Sequence, residues 1–326
     1  MSSVSRSVPD ALEDGSTAPE TRGFEKDNWY LEETAGSVRQ SFRFAKKLHE
    51  EQTDYQRLVI YDTPFFGKVM TLDDLVMFTE RDEFIYHEML VHVPLCSLKG
   101  PKRVLIIGGG DCGCLREALK HDDVSEVVQV DIDRRVTAVS REYFPWAEAA
   151  TQDPRATLLF EDGVRYIQDH PAQFDLVVID STDPKGFALD LFLSTFYSQV
   201  AAALKPHGIM TAQSESPHWS TEMVGAIYGE LRQSFAAVNA YLASVPTYAS
   251  GLWTLAHASA RPRSPVDAVR AEAIAATCRY YNAQIHEASF ALPNFVRDAL
   301  RGRNAFEPFD ARVQGEGLED PGSHNP

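Results

Sequence analysis

Acidic side chains stand after four successive apolar runs of this sequence. The runs VLII, EVVQV, ATLLF and DLVVI lead into Asp111 (through three glycines), Asp131, Asp162 and Asp180, and Asp183 follows closely in DSTDP. Such runs predict strands buried on both faces of a parallel sheet, and ligands bind at the carboxyl ends of those strands. The motifs GGGD, VDID, EDG and DSTDP contain no basic residue. A cationic ligand group, such as an amine or a sulfonium, therefore suits this site better than a pyrophosphate.

Each aspartate could instead cap the helix that follows its strand, because Asp is a preferred N-cap residue. For a single Asp that interpretation would be favoured, but five acids at strand ends favour a site for a nucleoside and a cationic group. In such a site Asp131 can accept hydrogen bonds from ribose hydroxyls, and Asp162 can accept one from an adenine amino group. The glycine-rich turn is a weak signal alone, because NAD-binding and methyl-donor-binding folds both use one.

The elements that must position these acids alternate between strand and helix from Arg103 onward. This alternation predicts an α/β fold: a Rossmann-like, doubly wound, mostly parallel sheet of the class I methyltransferase type. AVNAYLASV and GLWTLAHAS predict an antiparallel hairpin at the end of the sheet. QRLVIYD and GKVMTLD predict a small N-terminal antiparallel β domain, and DEFIYHEMLVHVPL predicts the helix after it.

The 326 residues divide into four predicted segments. Residues 1–23 are rich in Ser, Pro, Glu and Asp and predict a disordered leader. Residues 24–80 are predicted to form the N-terminal β domain and residues 81–302 the Rossmann-like catalytic domain, with a last helix near Val266–Thr277. Residues 303–326 predict a flexible tail.

Charge and composition narrow the classes of partner. The chain has 31 Lys plus Arg against 47 Asp plus Glu, a net charge of −16 at pH 7, which disfavours nucleic acid and anionic membrane surfaces. No apolar run approaches the roughly 20 residues that span a bilayer, and the first residues lack the apolar core of a signal peptide. None of the four cysteines forms a CxxC pair. We therefore expect a cytoplasmic protein that binds small molecules.

Several motifs together resemble the polyamine aminopropyltransferases, in particular the spermidine synthases. The resembling segments are GKVMTLDDLVMFTERDEFIYHEMLVHVPL, VLIIGGGDCGCLREALKH, VDID, EDG, FDLVVIDSTDP, VPTYASG and CRYYNAQIHEASFALP. They extend from about Trp29 to Leu300, nearly the whole predicted folded region. The resemblance implies a small β domain on a Rossmann-like catalytic domain, assembled as a homodimer or a higher homo-oligomer.

The resemblance also implies a reaction. The aminopropyl group of decarboxylated S-adenosylmethionine, a co-substrate, passes to an amine such as putrescine, and methylthioadenosine is released, with no metal and no permanently bound cofactor. An acceptor amine with a pKa of about 10.4 arrives protonated at neutral pH, so a carboxylate must take its proton before it attacks the methylene beside the sulfonium. Asp180 stands where the family places this general base, and Asp183 where it binds or orients the same amine.

The remaining roles come from the resemblance, position by position. The residues expected to bind the donor and methylthioadenosine are Gln56, Asp111, Asp131, Asp162 and Gly163. Asp111 would bind the donor's ammonium, and Asp131 the ribose. Asp162 and Gly163 read the adenine, and Gln56 reaches the nucleoside from the N-terminal domain. Besides Asp183, the acceptor channel is lined by Tyr86, His87 and Tyr248.

The sequence departs from the family at several of these motifs. Asp131 replaces the longer Glu of most members, and Met77 stands where Gln is common. GGGDGG becomes GGGDCG, and we predict that Cys112 is a small buried hydrophobe rather than a neighbour of the donor's alkyl arm. The loop after the acids reads DPKGFALDLF, with a Pro and a Glu lost and Lys185 gained. Lys185 could meet a carboxylate on the acceptor or on a donor that keeps its carboxylate. The sequence therefore leaves open which acceptor is used and whether the donor is decarboxylated.

Two other classes of protein compete with this interpretation. A class I methyltransferase shares the fold, but it usually has an acid before a GxGxG turn, whereas Asp111 follows the glycines and DSTDP would have no role. A non-catalytic relative could bind a nucleoside or polyamine as a sensor, but the intact pair of Asp180 and Asp183 argues against it. The amine could be putrescine, cadaverine, agmatine or another, and the sequence does not choose among them.

Overall fold

The computed structural model of the protein describes residues 21–34, 38–100, 102–183 and 186–303. Residues 1–20 of the predicted leader and 304–326 of the predicted tail lie outside this part of the chain. None of the helices in the described ranges has the length and hydrophobicity that a membrane crossing requires.

Two antiparallel sheets make up the N-terminal region. The first contains β1 (Thr21–Lys26), β2 (Trp29–Thr34) and β3 (Val38–Arg43), and the second β4 (Lys46–Gln52), β5 (Arg57–Thr63), β6 (Gly67–Leu72) and β7 (Leu75–Thr79). The prediction of an antiparallel unit here is confirmed. Strand β1 begins within the segment predicted as the leader, because Asp27 and Asn28 (φ 53° and 63°) form a tight turn that pairs β1 with β2.

A seven-stranded sheet follows in the chain. Its strands are β8 (Lys102–Gly108), β9 (Val124–Val130), β10 (Ala156–Leu159), β11 (Phe174–Asp180), β12 (Leu204–Gln213), β13 (Ala237–Ser244) and β14 (Leu252–Ser259). They lie in the order β10-β9-β8-β11-β12-β14-β13, parallel from β10 to β12. The predicted hairpin is β13–β14, and β14 lies between β12 and β13, antiparallel to both. The doubly wound, mostly parallel sheet is thus confirmed.

Helices surround this sheet. In the described ranges they are α1 (Glu83–Leu95), α2 (Gly113–Leu119), α3 (Arg134–Tyr143), α4 (Pro145–Thr151), α5 (Gly163–Gln168), α6 (Ser194–Ala203), α7 (Thr221–Ser234), α8 (Ala268–Ala275), α9 (Ala283–Ser289) and α10 (Asn294–Ala299), with a 3₁₀ helix at Gly186–Phe192. Helix α1 coincides with the helix predicted after the β domain, and α8 lies within the predicted Val266–Thr277.

The continuous apolar runs are explained by two hydrophobic clusters on opposite faces of the sheet. Val104 and Ile106 of β8 belong to the cluster that contains residues of α1 and α2. Leu105 and Ile107 of the same strand belong to the cluster that contains residues of α6 and α7. Since successive side chains of a strand point to opposite faces, every position of such a strand is apolar.

The order of the strands decides where a ligand binds. Strands β8 and β11 are neighbours, and the chain proceeds from β8 towards β10 and from β11 towards the other edge of the sheet. Helices leave the sheet on opposite faces at this switch point, which opens a crevice at the carboxyl ends of the strands. Asp180 is the register partner of Gly108 there, so the acid and the glycine turn share one edge.

A matched pair of glycine substitutions tests this account of the turn. Gly108 has φ +82°, and a Cβ there would lie 2.1 Å from the carbonyl oxygen of Asp180, so Gly108→Ala should destabilise the fold by more than about 2 kcal/mol. Gly229 lies exposed within α7 and a Cβ there meets nothing within 4 Å, so Gly229→Ala should stabilise it by about 0.5–1 kcal/mol. Thermal unfolding of the two variants measures both effects, and equal melting temperatures would contradict the account.

Candidate active site

The carboxyl ends of β8, β9 and β11 open into a cavity of about 380 Å³. Nine of the ten predicted site residues line it: Gln56, Tyr86, His87, Asp111, Asp131, Asp162, Gly163, Asp180 and Tyr248. The tenth, Asp183, lines an adjoining cavity of about 110 Å³, which shares Tyr86 and Tyr248 with the first. The structure thus brings all ten residues into two connected cavities.

Asp180 lines the larger cavity, beside Tyr86 and Ser181, which line both cavities. Its Oδ1 accepts a hydrogen bond from the Tyr86 hydroxyl at 2.9 Å, while its buried Oδ2 has no hydrogen-bond partner. Burial and the nearby charge of Asp111 raise the pKa of Asp180 to about 6, although His87, the Cys114 thiol and the Tyr86 hydroxyl act in the opposite direction. This carboxyl group therefore exchanges a proton close to neutral pH.

Asp111 and His87 form an ion pair in the larger cavity. His87 Nε2 lies 3.3 Å from Asp111 Oδ1, and His87 Nδ1 lies 2.7 Å from Glu83 Oε2. Because ionised carboxylates only accept hydrogen bonds, both ring nitrogens carry a proton and His87 is an imidazolium. Burial opposes this charge, but Asp111 and Glu83 raise the pKa of His87 well above its ordinary value. Asp111 also accepts from the Gly113 amide at 2.6 Å, and His87 keeps its pKa low despite burial.

Behind this pair, a buried chain of ionic contacts links α1 to α2. Arg116 donates two hydrogen bonds to Glu83, at 2.9 and 2.8 Å, and one to Glu117 at 2.6 Å. Glu117 Oε2 in turn lies 2.8 Å from His92 Nε2, and its pKa is lowered because His92 and Arg116 more than offset its burial. The bidentate contact of Arg116 fixes the Glu83 carboxylate that orients the His87 ring.

Asp131 faces the same cavity from the end of β9. Burial, together with the charges of Asp133, Asp111 and Asp180, raises its pKa to about 7, although it accepts from the Asp133 amide at 2.7 Å. Asp133 caps α3 and accepts hydrogen bonds from Thr53 Oγ1 at 2.7 Å and from Gln56 Nε2 at 3.1 Å. The contact of Gln56 with Asp133 ties β5 of the N-terminal region to the sheet at this point.

Asp162 and Gly163 are at the far end of the cavity. Asp162 caps α5 by accepting from the Val164 amide at 2.8 Å, so the capping interpretation is confirmed for it, and its role as a ligand residue stays a prediction. Gly163 begins α5, and a Cβ there would lie 2.6 Å from Ile107 Cγ2. The absence of that side chain lets the helix start pack against β8 and leaves the cavity open.

The adjoining cavity contains acids that the sequence analysis did not identify. Besides Asp183, it is lined by Glu32 of β2 and by Glu215, which follows β12, and aromatic rings surround them: Tyr86, Trp219, Tyr248 and Trp253. Burial, with the charge of Asp183, raises the pKa of Glu32 to about 7. Glu215 follows the apolar run GIMTA, so the strand-end rule that found Asp180 could have found it; nothing in the sequence singles out Glu32.

Three departures from the family pattern have different outcomes. Cys112 is fully buried, with Sγ 3.7 Å from the Gly110 oxygen and 3.7 Å from Gln129 Nε2, and it does not line the cavity. Its burial agrees with the prediction of a small buried hydrophobe. Met77 lines both cavities, and its carbonyl oxygen accepts from the Tyr248 hydroxyl at 3.0 Å. Lys185 lies outside the described residues.

Comparison with known proteins defines the class of this protein as a transferase and assigns its family. Residues 83–268 match the spermine/spermidine synthase domain and residues 28–80 match the spermidine synthase tetramerisation domain. Among relatives, the polyamine aminopropyltransferase of Thermoanaerobacter sp. (strain X514) is 42% identical over 270 residues, covering 83% of this chain and 97% of the relative. That of Methylococcus capsulatus is 45% identical over 263 residues, covering 80% and 92%.

Solved structures agree with this assignment. A spermidine synthase in complex with the transition-state analogue AdoDATO superposes with a TM-score of 0.81 at 35% identity, over 91% of this chain and 98% of that one. The spermidine synthase from Thermotoga maritima gives 0.79 at 34%, over 91% and 97%. The chain belongs to the spermine/spermidine synthase family and is an enzyme of the polyamine aminopropyltransferase type.

The hydrogen bond from Tyr86 to Asp180 predicts a shift in the pH profile of the enzyme. If Asp180 is the general base that the resemblance implies, kcat/KM of the wild type should rise with pH through about 6 as Asp180 loses its proton. Because the Tyr86 hydroxyl stabilises the ionised carboxylate, Tyr86→Phe should move this acid limb to higher pH. Tyr248→Phe is the matched control, since that hydroxyl donates to Met77 instead. Identical acid limbs in all three proteins would contradict the assignment of the acid limb to Asp180.

Proposed function

We propose that the enzyme moves the aminopropyl group of decarboxylated S-adenosylmethionine to putrescine or a related amine, giving spermidine or its analogue and methylthioadenosine. The observation that carries the proposal is the position of Asp180 in the larger of two acid-lined cavities, next to Tyr86 and Ser181, which line both. One cavity has the size and the strand-end acids for a nucleoside with a cationic arm. The other has carboxylates and aromatic rings, which suit an ammonium ion.

The donor lies in the larger cavity in this proposal. Asp131 accepts from the ribose hydroxyls, and Asp162 with Gly163 contacts the adenine. Gln56 contributes from the position just before β5, where its amide already donates to Asp133. Asp111, ionised beside His87, receives the ammonium of the aminopropyl arm. The arm then extends past the glycine turn towards Asp180.

Asp180 acts as the general base on the amine. Its Oδ2 has no hydrogen-bond partner and takes one proton from the acceptor ammonium, while Tyr86 holds Oδ1. The nitrogen lone pair then forms a bond to the methylene carbon beside the sulfonium, and the electrons of the breaking C–S bond go to sulfur. Neutral methylthioadenosine leaves, and the product keeps the positive charge of the sulfonium on its new secondary ammonium. The rest of the catalysis is positioning of the two reactants in line.

The acceptor lies in the smaller cavity. Tyr86 and Tyr248, which line both cavities, and His87, which lines the larger one, lie along its approach. Asp183 binds or orients the reacting amine, and the far ammonium of a diamine meets Glu32 and Glu215. A bound cation would return the pKa of Glu32 towards its ordinary range, which makes the binding of a diamine favourable. Product identification by mass spectrometry over putrescine, cadaverine and agmatine selects the acceptor.

A donor that keeps its carboxylate is the alternative to this proposal. That carboxylate would lie close to the carboxyl groups of Asp111 and Asp180, and like charges that lie close together repel. Assays with S-adenosylmethionine and with its decarboxylated form decide between the two, and turnover of the first would favour the alternative. A class I methyltransferase would release methylated amine in the same assay.

We also propose the assembly and the compartment. The match of residues 28–80 to a tetramerisation domain supports a homo-oligomer, a dimer or larger, with residues 24–80 and 81–302 as its two domains. All four cysteines are free thiols, three of them buried, which fits a reducing compartment such as the cytoplasm.

Exchange of the two aspartates of DSTDP tests the proposed roles. Asp180→Asn should lower kcat by about 10²–10⁴-fold, because the acceptor stays protonated, while calorimetric binding of methylthioadenosine is kept. Asp183→Asn is the matched variant and should mainly raise KM for the amine. Undiminished turnover by Asp180→Asn would refute the base assignment, and an inactive wild type that still binds the nucleoside would favour a sensor.

A further inference from the structure

A third cavity lies at the end of the strands of the seven-stranded sheet that is opposite to the active site. It encloses about 370 Å³ between the turn after α1, the start of β12 and the segment that follows β14. Within strand β14, Trp253 lines the smaller cavity of the active site and Ser259 lines this one. At 3.3 Å per residue those positions are about 20 Å apart, so this cavity is separate from the active site.

The charge of this cavity is opposite to that of the molecule. The cations Lys99, Arg261 and Arg263 line it, and no Asp or Glu does so within the described part of the chain, although the protein has a net charge of −16. His207 also lines it, and its Nε2 lies 2.9 Å from Asp175 Oδ1. The side chains of Lys99 and Arg261 are exposed and form no ion pair with any described residue. Arg263 stacks on Phe290 at 4.1 Å and pairs with Glu287 at 3.1 Å, which fixes its position.

A buried histidine in the cavity wall lacks hydrogen-bond partners. His257 of β14 is 1% exposed, and neither Nδ1 nor Nε2 has a partner. Leaving a buried polar group unsatisfied costs about 1–3 kcal/mol, and residues of this kind are usually satisfied by a ligand or water. The imidazole is therefore an unsatisfied polar group in the cavity wall, and because neighbouring atoms cover both nitrogens, an oxygen-rich ligand reaches them only if the wall shifts.

We propose that this cavity binds a phosphate-bearing anion, a small phosphate monoester. The cluster of cations calls for an anion with more than one charge, and arginine favours phosphate through its forked donors. The cavity is several times larger than a phosphate group, and Leu98, Ile209 and Pro262 provide apolar wall for an organic substituent. No part of this proposal depends on the aminopropyl-transfer chemistry.

Isothermal titration calorimetry of the full chain with glycerol 3-phosphate, adenosine monophosphate and inorganic phosphate tests the proposal. The double variant Lys99→Gln/Arg261→Gln removes two exposed cations of the cavity. Its matched control, Arg301→Gln/Arg303→Gln, removes two exposed cations elsewhere. His257→Phe removes the ring nitrogens from the wall and is used if its melting temperature shows that it is folded.

Saturable binding of at least one probe is expected in the wild type and in the control. The cavity variant should bind at least about tenfold more weakly, since it loses charge-assisted hydrogen bonds. The probe that binds most tightly shows whether free phosphate, a simple monoester or a nucleotide is the source of the anion. Absence of saturable binding by all three probes, or equal weakening in the cavity variant and the control, would overturn the proposal.

Discussion

The mutual repulsion of carboxylates at one edge of a sheet is the constraint on which the active site depends. Asp111, Asp131 and Asp180 face one cavity, and among its described lining residues His87 is the sole basic one. Burial and like charge raise the pKa of Asp180 to about 6 and that of Asp131 to about 7, while Asp111 stays ionised beside His87. A bound cation would offset the repulsion between these carboxylates. The strand order that brings the acids together therefore favours a cationic ligand.

The structure around the cavity holds this arrangement in place. The parallel order of β8, β9 and β11 directs three strand ends to one edge, and the glycine turn brings the chain close to Asp180. The contacts from Arg116 to Glu83 and from Glu83 to His87 keep an imidazolium next to Asp111. Removing one partner of such a buried pair leaves an uncompensated charge, so these residues act as a unit.

The sequence predicted the parts of the molecule that follow from strand patterns. Apolar runs located the sheet, and the acids that follow them converge as expected because parallel strands end at one edge. Glu32 was not found, because it lies in an ordinary strand of the N-terminal region and reaches the site only through tertiary packing. The start of β1 was also missed, since the polar residues of its hairpin resemble a disordered segment.

The contacts of Arg116 and the basic cavity also could not be predicted from the sequence. Arg116 is one arginine on a short helix, and only the packing of α1 against α2 reveals its bidentate contact with Glu83. Lys99, His207 and Arg261 are far apart in the chain, so no motif joins them. The fold class could be predicted because it rests on local periodicity, whereas these contacts depend on long-range packing.

The central claim, that the acid cluster is completed by a cation, is tested most directly by the protons released on binding. Titration calorimetry near pH 6.5, repeated in buffers of different ionisation enthalpy, compares decarboxylated S-adenosylmethionine with the uncharged methylthioadenosine. The cationic donor should lower the pKa values of Asp180 and Asp131 and release more protons than methylthioadenosine does. Equal proton release by the two ligands would contradict the account.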